Sequence, residues 1–79
     1  MKLIISRNES DRREVGNVVC FDGRTIADDR VVVEVSREAW DQILVDWHRD
    51  PVAKLEEMSL DPRAHWARFS TGKVWRLYL

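Results

Sequence analysis

The chain has 79 residues, of which 34% are charged, and its formal net charge at pH 7 is −1. This length predicts one domain with a small core, and the near-neutral charge excludes a nucleic-acid-binding protein that depends on a large excess of positive charge. Cys20 is the only cysteine, and the apolar run within residues 1–6 is too short for a signal peptide or a membrane span, so we expect a cytosolic protein.

The N-terminal part of the chain predicts an antiparallel sheet of three or four strands. Lys2–Ser6 is expected to form the first strand, and the fully polar segment Arg7–Glu14 is expected to form a solvated loop. An extended pattern resumes at Val15–Phe21, in which Gly16 marks a bulge or the start of a strand.

Two further signals predict a hairpin and a buried strand. The dipeptide Asp-Gly at 22–23 favours a type I′ turn, which predicts a hairpin between Val18–Phe21 and Arg24–Ala27. Val31–Val35 contains four valines and one glutamate, a composition typical of a half-buried strand.

A long amphipathic helix is predicted to follow the valine strand directly. The Ser36 hydroxyl can accept a hydrogen bond from the free N–H groups of a first helical turn, and Val35 and Trp40 have the spacing of a hydrophobic staple. Pro51 disfavours helical geometry at Asp50, so the helix is expected to extend to about Asp50. Its apolar residues recur at the helical period and form one stripe, namely Trp40, Ile43, Leu44 and Trp47.

A shorter helix is predicted at Pro51–Met58, because aspartate followed by proline suits the cap and first position of a helix. The same pair recurs at Asp61-Pro62, where it either starts a third helix that ends near Gly72 or forms a turn into a strand. In the second interpretation, which we favour, Trp66–Ser70 and Lys73–Leu79 form a terminal hairpin.

These elements predict a single α+β domain over residues 1–79, in which a small antiparallel sheet packs against one long amphipathic helix and a shorter helix. Motifs for catalysis are missing, since the glycines are scattered and form no phosphate-binding loop. Cys20, His48 and His65 have no recognised metal-ligand spacing, and Cys20 lies in a predicted strand as a small buried residue. We therefore predict a non-enzymatic protein without a cofactor or metal.

Charge is unevenly placed along the chain. Residues 31–61 contain three basic and eight acidic side chains, a net charge of −5, whereas residues 62–79 contain four basic side chains and no acidic one. The helical part is therefore expected to present an acidic surface that binds a basic protein surface, such as a nucleic-acid-binding groove. The candidate partner-binding residues are Glu38, Asp41, Asp46, Glu56 and Glu57.

The basic C-terminal segment supports an alternative function, contact with single-stranded nucleic acid. Aromatic residues lie between its basic residues, and they could stack on bases while the basic side chains contact phosphates. The residues of this alternative site are Arg63, Arg68, Lys73, Trp75 and Arg76. A footprint of four positive charges is small, so a protein partner is the favoured prediction.

In its size, its lack of enzyme motifs and its acidic helix SREAWDQILVDW followed by Glu56-Glu57, the chain resembles the small phage-encoded inhibitors, in particular anti-CRISPR proteins directed at type I interference complexes. This resemblance implies stoichiometric binding to a Cas protein or an interference complex in the host cytosol. Recognition of target DNA or recruitment of the nuclease would then be blocked.

Overall fold

The computed structural model describes residues 2–78, which form six strands, two α-helices and a short 3₁₀ helix at Glu9–Asp11. In chain order the elements are β1 (Leu3–Ile5), β2 (Arg12–Val15), β3 (Val18–Thr25), β4 (Arg30–Ser36), α1 (Arg37–Asp46), α2 (Pro51–Met58), β5 (His65–Phe69) and β6 (Val74–Tyr78).

The predicted α+β class is confirmed. All strands belong to one mostly antiparallel sheet in the order β1-β3-β4-β6-β5, and β2 pairs with β3 alongside β1. Buried residues alternate along β4 and β6, and both helices contribute to the core on the face that these residues share. Phe21 and Trp40 pack there with their ring centroids 4.9 Å apart.

One strand pair departs from the predicted antiparallel sheet. β4 and β6 are parallel, with Val33 opposite Trp75 and Val35 opposite Leu77. The chain between them forms α1, α2 and β5, and this long connection allows β6 to return in the direction of β4. The carboxyl ends of β4 and β6 therefore lie side by side, next to the start of α1.

The prediction of a solvated loop at Arg7–Glu14 is wrong in its second half. Residues 12–15 form β2, which pairs with the first half of β3. Every side chain of β2 is exposed, so the strand has no apolar alternation that would reveal it in the sequence. Ion pairs join it to other elements, including Arg13 with Asp22 of β3 at 3.3 Å.

The predicted turn at Asp22-Gly23 is also wrong, because both residues lie inside β3. The turn before β3 falls instead at Gly16-Asn17, where Gly16 has a φ of +60° and Val15 pairs with Val18. Gly23 has a different function. A Cβ at this position would lie 3.0 Å from the backbone oxygen of Ile4, so glycine allows β1 to approach β3.

This difference between the two glycines can be measured with asparagine substitutions. Gly23→Asn should lower the free energy of unfolding by about 1–3 kcal/mol, because the new Cβ presses on the Ile4 carbonyl. Gly16→Asn should cost less than about 1 kcal/mol, since Gly16 has open space around it and asparagine tolerates a positive φ. Urea unfolding measures both values, and a Gly23→Asn variant as stable as the wild type would contradict this account.

The predicted cap of α1 is confirmed, because the Ser36 hydroxyl accepts a hydrogen bond from the Ala39 N–H at 3.2 Å. The predicted extension to Asp50 is wrong, since α1 ends at Asp46 and the chain turns at residues 47–50. The side chain of Asp50 instead accepts a hydrogen bond from Ala53 N–H at the start of α2. Trp47 consequently leaves the apolar stripe and is 44% exposed.

The C-terminal part of the chain agrees with the sequence. α2 covers the predicted residues, with Val52 and Leu55 buried and Met58 partly buried. The terminal hairpin that we favoured is formed by β5 and β6, with Trp66 opposite Leu77. The third helix is not formed.

The side chains of Glu56 in α2 and of Ser59, which caps that helix, cover the outer edge of β1. The Leu3 N–H donates to the Ser59 hydroxyl at 3.0 Å, and the Ile5 N–H donates to a Glu56 carboxylate oxygen at 2.8 Å. These N–H groups point away from β3 and would otherwise be unpaired, so the two side chains cover the edge at β1.

Candidate functional site

The candidate site is the exposed side of α1, which we call the α1 surface and define by Glu38, Asp41, Gln42, Val45 and Asp46. These side chains are all exposed, whereas Ala39, Trp40 and Ile43 of the same helix are buried. Positions three and four apart share one side of a helix, so the group runs along the helix for about 12 Å. The predicted residues Glu38, Asp41 and Asp46 are therefore brought together on one surface.

The negative charge of this surface is only partly neutralised. Arg37 contacts Asp41 at 3.2 Å, and it also contacts Glu14 of β2 at 2.6 Å, so one guanidinium serves two carboxylates. Within residues 2–78, neither Glu38 nor Asp46 forms an ion pair. The α1 surface thus has a net negative charge that a basic partner could neutralise.

Two apolar groups adjoin the carboxylates. Val45 is 74% exposed in the middle of the acidic residues, and Tyr78 is 46% exposed at the end of β6. Glu38 and Tyr78 line the same shallow groove, because the end of β6 lies beside the start of α1. The position of Val45 follows from helical spacing, whereas Tyr78 joins the site only through the parallel pairing of β4 and β6.

The other two predicted acidic residues lie on α2 and differ from each other. Glu57 is exposed and contacts Lys54 at 3.4 Å. The Glu56 side chain is only 13% exposed, and it binds both the Ile5 N–H and, at 3.0 Å, Arg7. Arg7 contacts Asp50 as well, and the two carboxylates, Glu56 first, raise the pKa of the Arg7 guanidinium. Glu56 therefore joins α2 to the first strand, and its carboxylate is already bound within the chain.

The residues of the alternative nucleic-acid site do not share one surface. Trp75 is buried at 3% exposure, and Arg68 lies over its ring with the guanidinium carbon 4.1 Å from the ring centroid. Arg76 follows Trp75 in β6 and projects from the opposite face, where it contacts Glu34 at 2.9 Å. Trp75 is therefore unavailable for stacking on a base.

The remaining two residues of that site lie in turns. Arg63 contacts Asp61 at 3.2 Å, and this guanidinium holds the pKa of the Asp61 carboxyl below its usual range. Lys73 lies in the turn before β6 and is exposed. The basic charges of the C-terminal segment are thus distributed over separate places, and two of them are neutralised by acidic neighbours.

The face of the sheet without helices contains a row of charged side chains around Cys20. Arg13, Cys20, Glu34 and Arg76 lie opposite one another across four strands, and Cys20 is only 7% exposed beneath its longer neighbours. Burial, followed by the charge of Glu34, raises the pKa of the Cys20 thiol. The thiol is therefore held in its less nucleophilic, protonated form.

Within residues 2–78, no helix is both long enough and apolar enough to cross a membrane. In the same part of the chain, no three histidine, cysteine, aspartate or glutamate side chains are placed to hold a metal ion together. Comparisons of the chain with protein-family models, with curated proteins and with solved structures gave no match.

Proposed function

We propose that this protein is a non-enzymatic binding protein that inhibits a nucleic-acid-handling machine by occupying a basic groove with the α1 surface. The observation that carries the proposal is the row of exposed carboxylates at Glu38, Asp41 and Asp46, of which the first and last are unneutralised within residues 2–78. Such a row can compete with phosphate groups for arginine and lysine side chains of a partner.

The neighbouring apolar groups suit a protein partner better than a small ion. Exposed aromatic residues contribute strongly to binding when a partner covers them, and Tyr78 adjoins the carboxylate of Glu38 across the groove. Val45 offers a smaller apolar contact among the charges. The partner is thus expected to combine basic side chains with an apolar recess.

The specific form of the proposal is an anti-CRISPR-like inhibitor, encoded by a phage and active in the host cytosol against a type I interference complex. Purified protein should block target-DNA binding or nuclease recruitment by such a complex at equimolar ratio. DNA binding and cleavage assays with interference complexes measure this effect. Unimpaired cleavage by every complex tested would contradict this form of the proposal. The more general mechanism, occupation of a basic groove, is tested separately with the lysine variants described next.

The mechanism itself is tested by the triple substitution Glu38→Lys, Asp41→Lys and Asp46→Lys. We expect the variant to lose at least about 100-fold in affinity for the partner recovered by pull-down with the wild type, because repulsion replaces attraction across the interface. Surface exposure of all three side chains should leave the fold intact, which circular dichroism checks. Isothermal titration calorimetry measures the affinity.

A matched control changes the charge equally at another place. Glu9, Asp28 and Asp29 are also exposed, and within residues 2–78 none of them forms an ion pair with α1. The triple lysine variant at these positions has the same net charge as the α1 variant. The control should retain binding to within about threefold, apart from a slower association that depends on ionic strength. Equal loss in both variants would show that total charge and not the α1 surface drives binding.

A further inference from the structure

The outer sides of β1 and β5 differ in how their backbone groups are paired. At β1, side chains of Glu56 and Ser59 accept the outward N–H groups. At the other end, β5 is the outermost strand, and residues 2–78 supply no hydrogen bond to its outer side. An uncovered edge presents unpaired N–H and C=O groups that can pair with another strand.

The pairing pattern shows which backbone groups of β5 point outward. The Val32 N–H donates to the carbonyl of Lys73, the residue before β6. Trp75 and Leu77, which follow at alternate positions in β6, therefore direct their backbone groups to β4 as well. The intervening residue Arg76 directs its groups to β5, where Ala67 is its partner. Ala67 is therefore bonded inward, and its neighbours Trp66 and Arg68 have outward N–H and C=O groups.

This edge lacks the features that commonly protect one. β5 has five residues, HWARF, with no proline and no lysine, and no bulge interrupts its pairing with β6. Its one permanent charge, Arg68, is turned over the Trp75 ring and away from the free edge. Backbone groups of Trp66 and Arg68 are thus open to a second strand.

We propose that β5 pairs antiparallel with β5 of a second copy, with the two-fold axis at Ala67. In this register Trp66 lies opposite Arg68 of the second copy, and the outward groups of both residues form the intermolecular hydrogen bonds. The Ala67 residues of the two copies lie opposite each other and form a non-hydrogen-bonded pair. In this register the intermolecular hydrogen bonds use the N–H and C=O groups of Trp66 and Arg68, which already point outward in the single chain.

Side chains of β5 also favour this register. It places Trp66 opposite Arg68 of the second copy, so an uncharged side chain and not a second guanidinium lies across from each Arg68. A shift that centres the axis on Arg68 would place two guanidinium groups directly opposite each other, which is unfavourable. The strand is thus complementary to itself in one register.

The dimer would form a continuous sheet of twelve strands, twice the six of one chain. A two-fold axis perpendicular to a sheet keeps equivalent faces on the same side, so both α1 surfaces would lie on one side of the dimer. The pairing does not depend on the proposed inhibitory function. If both hold, the dimer presents two acidic surfaces to a partner with repeated subunits, which increases avidity.

Disulfide cross-linking tests the register directly. In a Cys20→Ala background, Ala67→Cys should form an intermolecular disulfide under mild oxidation. The non-hydrogen-bonded pair places the two Cα atoms about 4.5 Å apart, within disulfide range. His65→Cys is the control, because its two copies would be roughly 13 Å apart in this register. Rapid cross-linking of Ala67→Cys alone supports the proposal, whereas equal cross-linking of both variants, or none of Ala67→Cys, overturns it.

Sedimentation equilibrium with the unmodified chain gives an independent test. Arg68→Pro removes an outward N–H without removing a bond to β6, and should weaken dimerisation at least about tenfold. Arg68→Ala keeps the N–H and controls for the lost side chain, so it should weaken the dimer less. A wild type that stays monomeric up to millimolar concentration, or an Arg68→Pro variant that dimerises as well as Arg68→Ala, contradicts the pairing.

Discussion

Trp75→Ala should lower the free energy of unfolding by about 3–5 kcal/mol, whereas Trp47→Ala should lower it by less than about 1 kcal/mol. Trp75 is 3% exposed and packs between Trp66, at a centroid distance of 5.9 Å, and the Arg68 guanidinium. Its indole N–H also donates to the Gly72 carbonyl at 3.2 Å. Truncation would leave a cavity in the core and remove these contacts.

Trp47 provides the matched comparison because it is 44% exposed. The amine nitrogen of Lys54 lies over its ring, 5.0 Å from the centroid. An exposed cation–π contact of this kind contributes about 0.5–1 kcal/mol. Chemical denaturation followed by far-ultraviolet circular dichroism measures both variants. A domain of this size has a stability of roughly 4–12 kcal/mol, so Trp75→Phe should be measured as well, in case the alanine variant does not fold. Equal effects at the two tryptophans would contradict the burial pattern.

Glu56→Ala should cost about 2–3 kcal/mol, while Glu57→Ala should cost less than about 0.5 kcal/mol. Removing the Glu56 carboxylate leaves the Ile5 N–H without its partner and removes one of the two ion pairs of Arg7. Glu57 lies one residue away but makes only an exposed contact with Lys54. Thermal and urea unfolding of the two variants provide the measurement.

A second consequence of Glu56→Ala concerns association. The outer edge of β1 would lose one of its two covering acceptors, and an open strand edge promotes aggregation. Light scattering at equal folded fraction should therefore increase for Glu56→Ala and stay unchanged for Arg7→Ala, which removes the ion pair but keeps the edge covered. If Arg7→Ala destabilised the protein as much as Glu56→Ala, the ion pair and not the edge bond would be the main contribution.

The candidate site was only partly predictable from the sequence. Glu38, Asp41 and Asp46 share one side of α1, and their common surface follows from helical spacing alone. Glu56 and Glu57 were assigned to the same surface by charge counting, yet the approach of β1 to α2 gives Glu56 an internal contact. Tyr78 was brought to the site by strand pairing, which residue spacing within one element does not reveal.

The sequence by itself determined the elements whose signals are local. Ser36 and Asp50 cap helices through hydrogen bonds that span three residues, and the alternation of Trp75 and Leu77 marks the buried side of β6. These interactions are complete within a few residues, so no knowledge of the rest of the fold is needed to predict them.

Only the tertiary structure decided the features that depend on distant partners. β2 is a strand because β3 supplies its hydrogen bonds, although none of its side chains is buried. Gly23 lies inside a strand because the Ile4 backbone approaches it, so a dipeptide that favours a turn is overridden by pairing with β1. The contact of Glu56 with Ile5 joins residues 51 positions apart in the chain. Such contacts depend on the whole sheet being assembled, which no local pattern of residues specifies.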